Sequence, residues 1–356
     1  MLINRYIYKY LAALPLLVSG SVAAAESNIA PLFDDDEPLS ITIDAPITTL
    51  MEYRPDKAEL KGTLAYTDTD GSDRRIGLKL RTRGNYRRDK EHCDFAPLRL
   101  NLKKGDAIGT LFHGQDKLKL VTHCKSKDSS FEQLVLREYL AYRLFREISD
   151  LSFGVRLLKV TYFDTEKAKD LTRLAFIIED DSDLARRNTM KRVKSRHIPH
   201  DSIDHERQNL IHVFEYMIGN TEYSLINPEP DKNCCHNTDV MSQTGNEPYL
   251  HVPYDFDFSG LVNAPYATPN PKYPIKDVRT RLYKGICSNN ALLPDTLALF
   301  RRKRTAIFAV IDTAGSVSAS SANSVRRYIE AFYAIIDDPD AVQKKLTDKC
   351  YDPASN

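Results

Sequence analysis

The chain has 356 residues, of which 42% are hydrophobic and 28% are charged. This length and apolar content suffice for a large buried core, which excludes disorder as the default state. Its 50 Lys and Arg against 49 Asp and Glu leave a formal net charge of +1, and this near balance excludes nucleic acid as a bulk electrostatic partner.

The first 25 residues have the order of features found in a secretory signal peptide. Arg5 and Lys9 precede an apolar stretch that closes with the small residues Ala23 and Ala25. That stretch is shorter than the roughly 20 apolar residues that span a bilayer. We therefore predict that residues 1–25 are cleaved, that the mature protein is secreted or periplasmic, and that no stable membrane anchor remains.

All six cysteines follow this segment, where oxidising conditions would favour disulfides: Cys93, Cys124, Cys234, Cys235, Cys287 and Cys350. We predict a Cys93–Cys124 disulfide, because both residues lie at the ends of neighbouring predicted strands. Histidines adjoin three of the cysteines, but the spacing matches no zinc motif with a C-x-x-C pair. Disulfides are therefore preferred to a zinc site.

Residues 26–180 are predicted to form a sheet-rich lobe that begins as an antiparallel sheet. Short apolar or alternating segments predict seven strands: Leu39–Ile43, Leu60–Tyr66, Ile76–Arg81, Leu98–Leu102, Lys117–Val121, Val155–Phe163 and Leu174–Ile178. A capping-box pattern of Ser129 with Glu132 predicts one helix, which runs to Ile148 between the fifth and sixth strands.

Residues 181–356 are predicted to form a mainly helical lobe. Its first part, 181–208, is highly charged and predicts a mobile loop or lid. Apolar residues at helical spacing over 210–218 predict a buried helix that Gly219 ends. A strand is predicted over 249–253, and three helices follow at Pro294–Thr313, Asn323–Asp337 and 340–347.

Candidate chemistry lies where two of these elements end. Asp255 and Asp257 directly follow the predicted strand, and Glu222 follows the end of the buried helix. Phosphoryl transfer needs acidic and amide ligands for magnesium, a carboxylate near the attacking hydroxyl, and a cation on the phosphates. The helical half offers the first two of these parts, and the sheet-rich half offers the third.

Six segments, in chain order, carry a family resemblance: R-G-N (83–85), D-K-L-K-L-V (116–121), the helix with Arg137-Glu138, A-F-I-I-E-D (175–180), Y-M-I-G-N-T (216–221) and P-Y-D-F-D (253–257). Together they resemble the CotH-like kinases, atypical kinases named for a bacterial spore-coat protein. The resemblance implies an α+β, two-lobed atypical protein-kinase-like fold. In that fold an antiparallel sheet plus one helix forms the N-terminal lobe, and the C-terminal lobe is mostly helical.

The resemblance also implies a nucleotide site with ATP as cofactor, formed by Arg83, Gly84, Asn85, Arg99, Lys119, Glu138 and Glu179. The first three would form the turn above the phosphates. Arg99 or Lys119 would contact the phosphates, with Glu138 as its ion-pair partner. Glu179 would lie at the hinge near the adenine. From the pattern alone, Lys119 is equally the solvent face of a strand.

A magnesium site is implied at the acidic pair, with Asp255 and Asp257 as ligands for Mg²⁺. The amide ligand is either Asn227, five residues after Glu222, or Asn237, and the resemblance favours Asn237. Glu222 would orient or deprotonate the acceptor hydroxyl. The family has aspartate at this position, and glutamate places the carboxylate one methylene further out.

The resemblance therefore implies an ATP- and magnesium-dependent kinase that phosphorylates a hydroxyl of an exported protein. Its expected partners are a nucleotide and an exported protein substrate. The alternative is a non-catalytic exported binding protein that uses the cleft, or the basic segment 186–197, for recognition. The Glu222 departure from the family pattern leaves both possibilities open.

Overall fold

The computed structural model of the chain describes residues 29–227 and 234–352. The predicted signal peptide, residues 1–25, lies outside these ranges. Within them, no helix has the length and apolar character needed to cross a bilayer.

Seven strands form a closed barrel: β1 (Leu39–Ala45), β2 (Leu60–Thr67), β3 (Asp73–Thr82), β4 (Leu98–Leu102), β5 (Lys117–Val121), β6 (Val155–Asp164) and β7 (Lys169–Ile178). Their order around the barrel is β1-β2-β3-β4-β5-β7-β6. Every predicted strand position is therefore confirmed, although several strands extend beyond the predicted bounds.

The predicted two-lobed kinase-like fold, with an antiparallel N-terminal sheet and one helix, is wrong. The first strand pairs in parallel with β6 from Leu39 opposite Leu158 to Ala45 opposite Asp164, and all other neighbours in the barrel are antiparallel. This pairing closes a mixed barrel and removes the exposed strand edges of an open sheet. Alternation along a strand identifies its buried face but not its partner, so the closure could not be predicted.

The barrel interior is filled by the inward-facing apolar side chains of its strands. In β1, the alternate residues Ile41, Ile43 and Ala45 are buried. Ser40, the second residue of the strand, is exposed. The same cluster includes buried residues from the other six strands, such as Leu64, Leu80, Leu100, Leu118, Val160 and Ile177. The period of two expected for a strand with one buried face thus continues around the barrel.

Eight α-helices are found among the described residues: α1 (Ile47–Tyr53), α2 (Lys104–Ala107), α3 (Ser130–Ile148), α4 (Asp181–Arg187), α5 (His205–Ile218), α6 (Leu293–Asp312), α7 (Ala319–Ile336) and α8 (Pro339–Lys345). The loop predicted over 181–208 is therefore wrong in part, because α4 and the start of α5 lie there. Asp180 caps α4 by accepting a hydrogen bond from the Ser182 amide, which is the ordinary role of aspartate at a helix start.

The long helix α3 joins the barrel to the other helices. Its buried residues Leu136, Leu140 and Leu144 belong to one hydrophobic cluster with Phe176 of the barrel and Phe214 of α5. The predicted capping box at its start does not form, because Ser129 makes no side-chain cap. This hydrophobic cluster contains residues from both sides of residue 180. The predicted division of the chain at that residue remains a prediction.

The helix α5 ends at a position that requires glycine. Gly219 has a φ of +67°, and an added Cβ would lie 2.0 Å from the Tyr328 hydroxyl oxygen. The close Tyr328 side chain leaves no room for a Cβ at this position, and the left-handed backbone would add strain to any other residue. The segment that follows, beginning at Asn220, leaves the helix at a fixed place.

A small antiparallel sheet lies beside α5, with strand order β10-β9-β8: β8 (Lys191–Arg192), β9 (Thr238–Ser242) and β10 (Leu250–Pro253). The predicted strand over 249–253 is confirmed as β10. It leads directly into Tyr254 and Asp255, so the acidic pair begins at the end of a paired strand.

Three disulfides use all six cysteines: Cys93–Cys124, Cys234–Cys235 and Cys287–Cys350. The predicted Cys93–Cys124 bond is confirmed. Disulfides persist in oxidising compartments, so this bonding is compatible with a protein exported from the cytoplasm.

Replacing Ile43 by Ala tests the packing of the strand that closes the barrel. Because Ile43 is fully buried, we expect a loss of about 2–5 kcal/mol in the free energy of unfolding, measured by chemical denaturation. The exposed neighbour Ser40, replaced by Ala, should change it by less than about 0.5 kcal/mol. Equal, small losses in both variants would mean that β1 does not close a packed barrel.

Candidate functional site

Two hydrogen bonds join the end of α5 to the end of β10. The side-chain amide of Asn237 donates to the backbone oxygen of Glu222 at 2.8 Å, and the Tyr254 amide donates to the backbone oxygen of Asn237 at 3.0 Å. The Glu222 amide in turn donates to Asn220 Oδ1 at 2.9 Å. The segment carrying Glu222 and the residue before Asp255 are therefore held next to each other.

Two residues of this junction have an unusual backbone. Asp255 has a φ of +64° and Asn237 a φ of +52°, a region that residues other than glycine adopt infrequently. The Asp255 amide donates to the Tyr142 hydroxyl of α3 at 2.9 Å, which helps to hold this conformation. Such local strain is often found at functional sites. Both residues are predicted magnesium ligands.

The Glu222 side chain is about one third exposed, at 37%. Its Oε1 lies 4.0 Å from His236 Nε2. Its backbone is held on both sides, by Asn220 and by Asn237. The carboxylate is therefore partly accessible to solvent, on a segment of chain that hydrogen bonds hold in place.

A buried ionic network lies behind the acidic pair. Arg87 Nη2 lies 3.4 Å from Glu138 Oε2, and Arg87 Nε lies 3.3 Å from Asp257 Oδ2. The Tyr266 hydroxyl donates to the same Asp257 oxygen at 3.1 Å. Glu138, Asp257 and Arg87 are each less than 10% exposed, so these charges interact in a medium of low polarity.

Acids outweigh bases in this network. Burial raises the pKa of Glu138 to about 8, although Arg87 opposes the shift, and the charges of Asp257 and Asp255 add to it. Burial likewise raises the pKa of Asp257 to about 6, against the effect of Arg87 and with the help of Asp255. Glu138 and Asp257 thus share one buried guanidinium, and the charges of Asp255 and Arg83 act on both acids with opposite effects.

Basic side chains of the barrel wall face this region. Lys119 in β5 is half-buried, with its Nζ 4.8 Å from the centre of the Tyr254 ring. Burial lowers its pKa, and the charge of Arg83 lowers it further, while Asp239 opposes both. Lys119 is opposite Arg99 in β4, and Arg99 pairs with Asp180 at 3.0 Å. Lys119 therefore contacts the residue adjoining Asp255 and is not simply the solvent face of a strand.

The turn of Arg83, Gly84 and Asn85 follows β3 and is open above. Gly84 has a φ of +82°, and an added Cβ there would meet no atom within 4 Å. The charge of Arg83 lowers the pKa of Glu138 and Asp257 on one side and of Lys119 and Arg99 on the other. The charge of Arg83 thus acts on both the acidic and the basic groups.

Two predicted nucleotide residues have other partners. Glu138 pairs with Arg87, so the expected ion pair with Arg99 or Lys119 is wrong. The buried Glu179 accepts a hydrogen bond from the Gly154 amide at 2.9 Å and pairs with Arg187 at 2.8 Å. Its carboxylate therefore connects the end of β7 to Arg187, the last residue of α4.

Sequence patterns did not identify Arg87, Tyr142 or Tyr266. A buried arginine in a charged turn has no periodic signal that separates it from its exposed neighbours. The two tyrosines act through a single hydroxyl contact each. Only the three-dimensional arrangement brings these residues to the acidic pair.

Comparisons with known protein families, curated proteins and solved structures found no match.

Replacing Glu138 by Gln should flatten the dependence of stability on pH. The folded pKa of about 8 lies above the ordinary 4.5, so the folded state holds this proton more tightly than the unfolded state. The resulting stabilisation is fully present below pH 4.5 and is lost as the pH rises through about 8. Urea denaturation across that range measures the slope.

The exposed acid Glu330 on α7 provides the control, and Glu330→Gln should keep the wild-type slope. If Glu138→Gln also keeps that slope, Glu138 does not hold a proton in the way described.

Proposed function

We propose that this protein is an exported phosphotransferase that uses ATP and Mg²⁺ to phosphorylate a hydroxyl group of another exported protein. The observation that carries the proposal is the junction through Asn237, which holds the Glu222 segment beside the Asp255 strand end. The motif resemblance to CotH-like kinases supports the same activity. The closed barrel is not the predicted kinase-like fold, so the proposal rests on the site and not on the fold.

The acidic side of the site fits a magnesium ion. Mg²⁺ prefers oxygen ligands, above all carboxylates together with phosphate oxygens. Asp255 and Asn237 would hold the ion, and Asp257, whose carboxylate Arg87 and Tyr266 orient, would be the further acid. When bound, the ion would neutralise charge on the phosphates. The excess of acid around Arg87 favours such a cation.

The basic side of the site fits the phosphates of a nucleotide. Lys119 is a desolvated ammonium beside Tyr254, and Arg83 adds a guanidinium at the edge of an open turn. Charge-assisted hydrogen bonds from such groups to phosphate are stronger than neutral ones. Gly84 lets the turn approach a phosphate closely, because it carries no side chain.

Glu222 would orient or deprotonate the acceptor hydroxyl. Its carboxylate is partly exposed and extends from a backbone held by two hydrogen bonds. A general base must come within about 2.6–3.2 Å of the hydroxyl oxygen. The extra methylene relative to aspartate moves the carboxylate outward, toward an acceptor that enters from solvent.

A second candidate is a non-catalytic exported binding protein. The observation that favours it is the ion pairing of Arg87 with both Glu138 and Asp257. This guanidinium holds two acids that an enzyme would direct at a metal ion. Nucleotide binding and phosphoryl transfer, measured separately, distinguish the two candidates.

The first measurement is thermal unfolding with ATP and magnesium, on wild type and Asp255→Asn. We expect a rise in Tm for the wild type, equivalent to about 2.7 kcal/mol when the ligand is at about a hundred times its Kd. The rise should disappear in Asp255→Asn, because the variant lacks the carboxylate that holds the ion.

The matched control is Asp295→Asn, an exposed acid in the first turn of α6, which should keep the full rise. An undiminished rise in Asp255→Asn would contradict the assigned metal ligand. No rise in the wild type would contradict nucleotide binding as a whole.

The second measurement is transfer of labelled phosphate from ATP to protein acceptors. Glu222→Gln should lower the rate by about 10²–10⁴-fold, the usual contribution of a general base, while the nucleotide-dependent rise in Tm remains. A rate unchanged by this substitution would rule out the role of Glu222. Binding without transfer in the wild type would favour the non-catalytic candidate.

A further inference from the structure

A cavity of about 580 Å³ lies beside the segment that follows Glu222. Its wall includes Tyr223 and Lys284, and Lys284 Nζ donates to the backbone oxygens of Thr221 and Tyr223. These two residues flank Glu222. The volume is within the usual range of small-molecule sites.

Another part of the cavity wall is formed by the end of the described chain. The Tyr351 amide donates to the Gly285 backbone oxygen at 2.7 Å, and the Cys287 amide donates to the Tyr351 oxygen at 3.0 Å. The Cys287–Cys350 disulfide joins the same two segments. Cys350 and Tyr351 are thus fixed as part of the wall.

The charges in the wall are of one sign among the residues that the structure describes. Three lysines line the cavity, Lys272, Lys284 and Lys349, and no aspartate or glutamate of the described ranges lines it. Burial lowers the pKa of Lys284 to about 7, and Lys272 lowers it further, against the effect of Glu215. A bound anion would favour the charged form of this ammonium.

The rest of the wall is largely aromatic and aliphatic. The tyrosines are Tyr223, Tyr273, Tyr283 and Tyr351. Lys284 Nζ lies 3.9 Å from the centre of the Tyr223 ring and 5.2 Å from that of Tyr273. Flat aromatic walls bind flat aromatic bodies by stacking or edge contacts, and the lysines supply the cation for a charged group.

We propose that this cavity binds a small aromatic organic anion, a carboxylate or a sulfonate. The negative group pairs with Lys284, and the ring lies among the tyrosines. Lys284 also donates hydrogen bonds to the backbone on both sides of Glu222. A ligand that fixes Lys284 therefore stabilises the segment 221–223. Neither the binding nor this stabilisation depends on the proposed function.

The test is a titration with the fluorescent aromatic sulfonate anilinonaphthalene sulfonate, without nucleotide or acceptor. We expect saturable binding of one probe per chain, which inorganic phosphate does not displace. Tyr273→Ala and Lys349→Met, which alter the wall without removing the Lys284 hydrogen bonds, should weaken binding at least tenfold, as should Lys284→Met. The exposed neighbour Lys276, replaced by Met, should leave it unchanged.

Equal affinity in wild type and the three wall variants, displacement by inorganic phosphate, or binding without saturation would each overturn the proposal. Near-ultraviolet circular dichroism establishes that each variant is folded. Amide hydrogen exchange tests the link to Glu222: the probe should slow exchange over 221–223. Unchanged exchange with saturable binding would overturn that link, independently of whether the protein transfers phosphate.

Discussion

The site depends on one side chain, Asn237, which joins two elements that are distant along the chain. Its amide holds the backbone of Glu222, and its own backbone oxygen holds Tyr254. Each of these bonds contributes little alone, about 1 kcal/mol net. Their importance is geometric. Gly219 ends α5 at a fixed place, and β10 is paired with β9 up to its last residue, Pro253. The two segments that Asn237 joins therefore both begin at defined positions.

Electrostatics then gives this junction its chemical character. Glu138 from α3 and Asp257 from the β10 end share Arg87, and the nearby charge of Asp255 leaves the group with more acid than base. Burying such a group reduces stability unless a cation or protons accompany it. The barrel wall places Lys119 on the adjoining side. In the proposed function, a metal ion would offset the negative charge of the acidic side, and the polyvalent anion bound to it would offset the positive charge of the basic side.

The sequence predicted local features well and long-range ones poorly. The seven strands, the glycine stop of α5 and the Cys93–Cys124 disulfide follow from alternation, helix-end chemistry and the position of both cysteines at the ends of predicted neighbouring strands. The parallel pairing of β1 with β6 could not be predicted in this way, because alternation identifies the buried face of a strand but not its partner. The predicted fold class was wrong for this reason. Arg87 was missed for a related reason: its role exists only once α3 and the β10 end approach each other.

The central claim, that Asp255 and Asn237 form a metal site at this junction, is tested most directly by crystals grown with Mn²⁺ and a non-hydrolysable ATP analogue. An anomalous difference map locates the manganese without reference to activity. The account predicts a peak in direct contact with the Asp255 carboxylate and beside Asn237. An analogue bound without manganese at Asp255, or manganese bound only elsewhere, would contradict it.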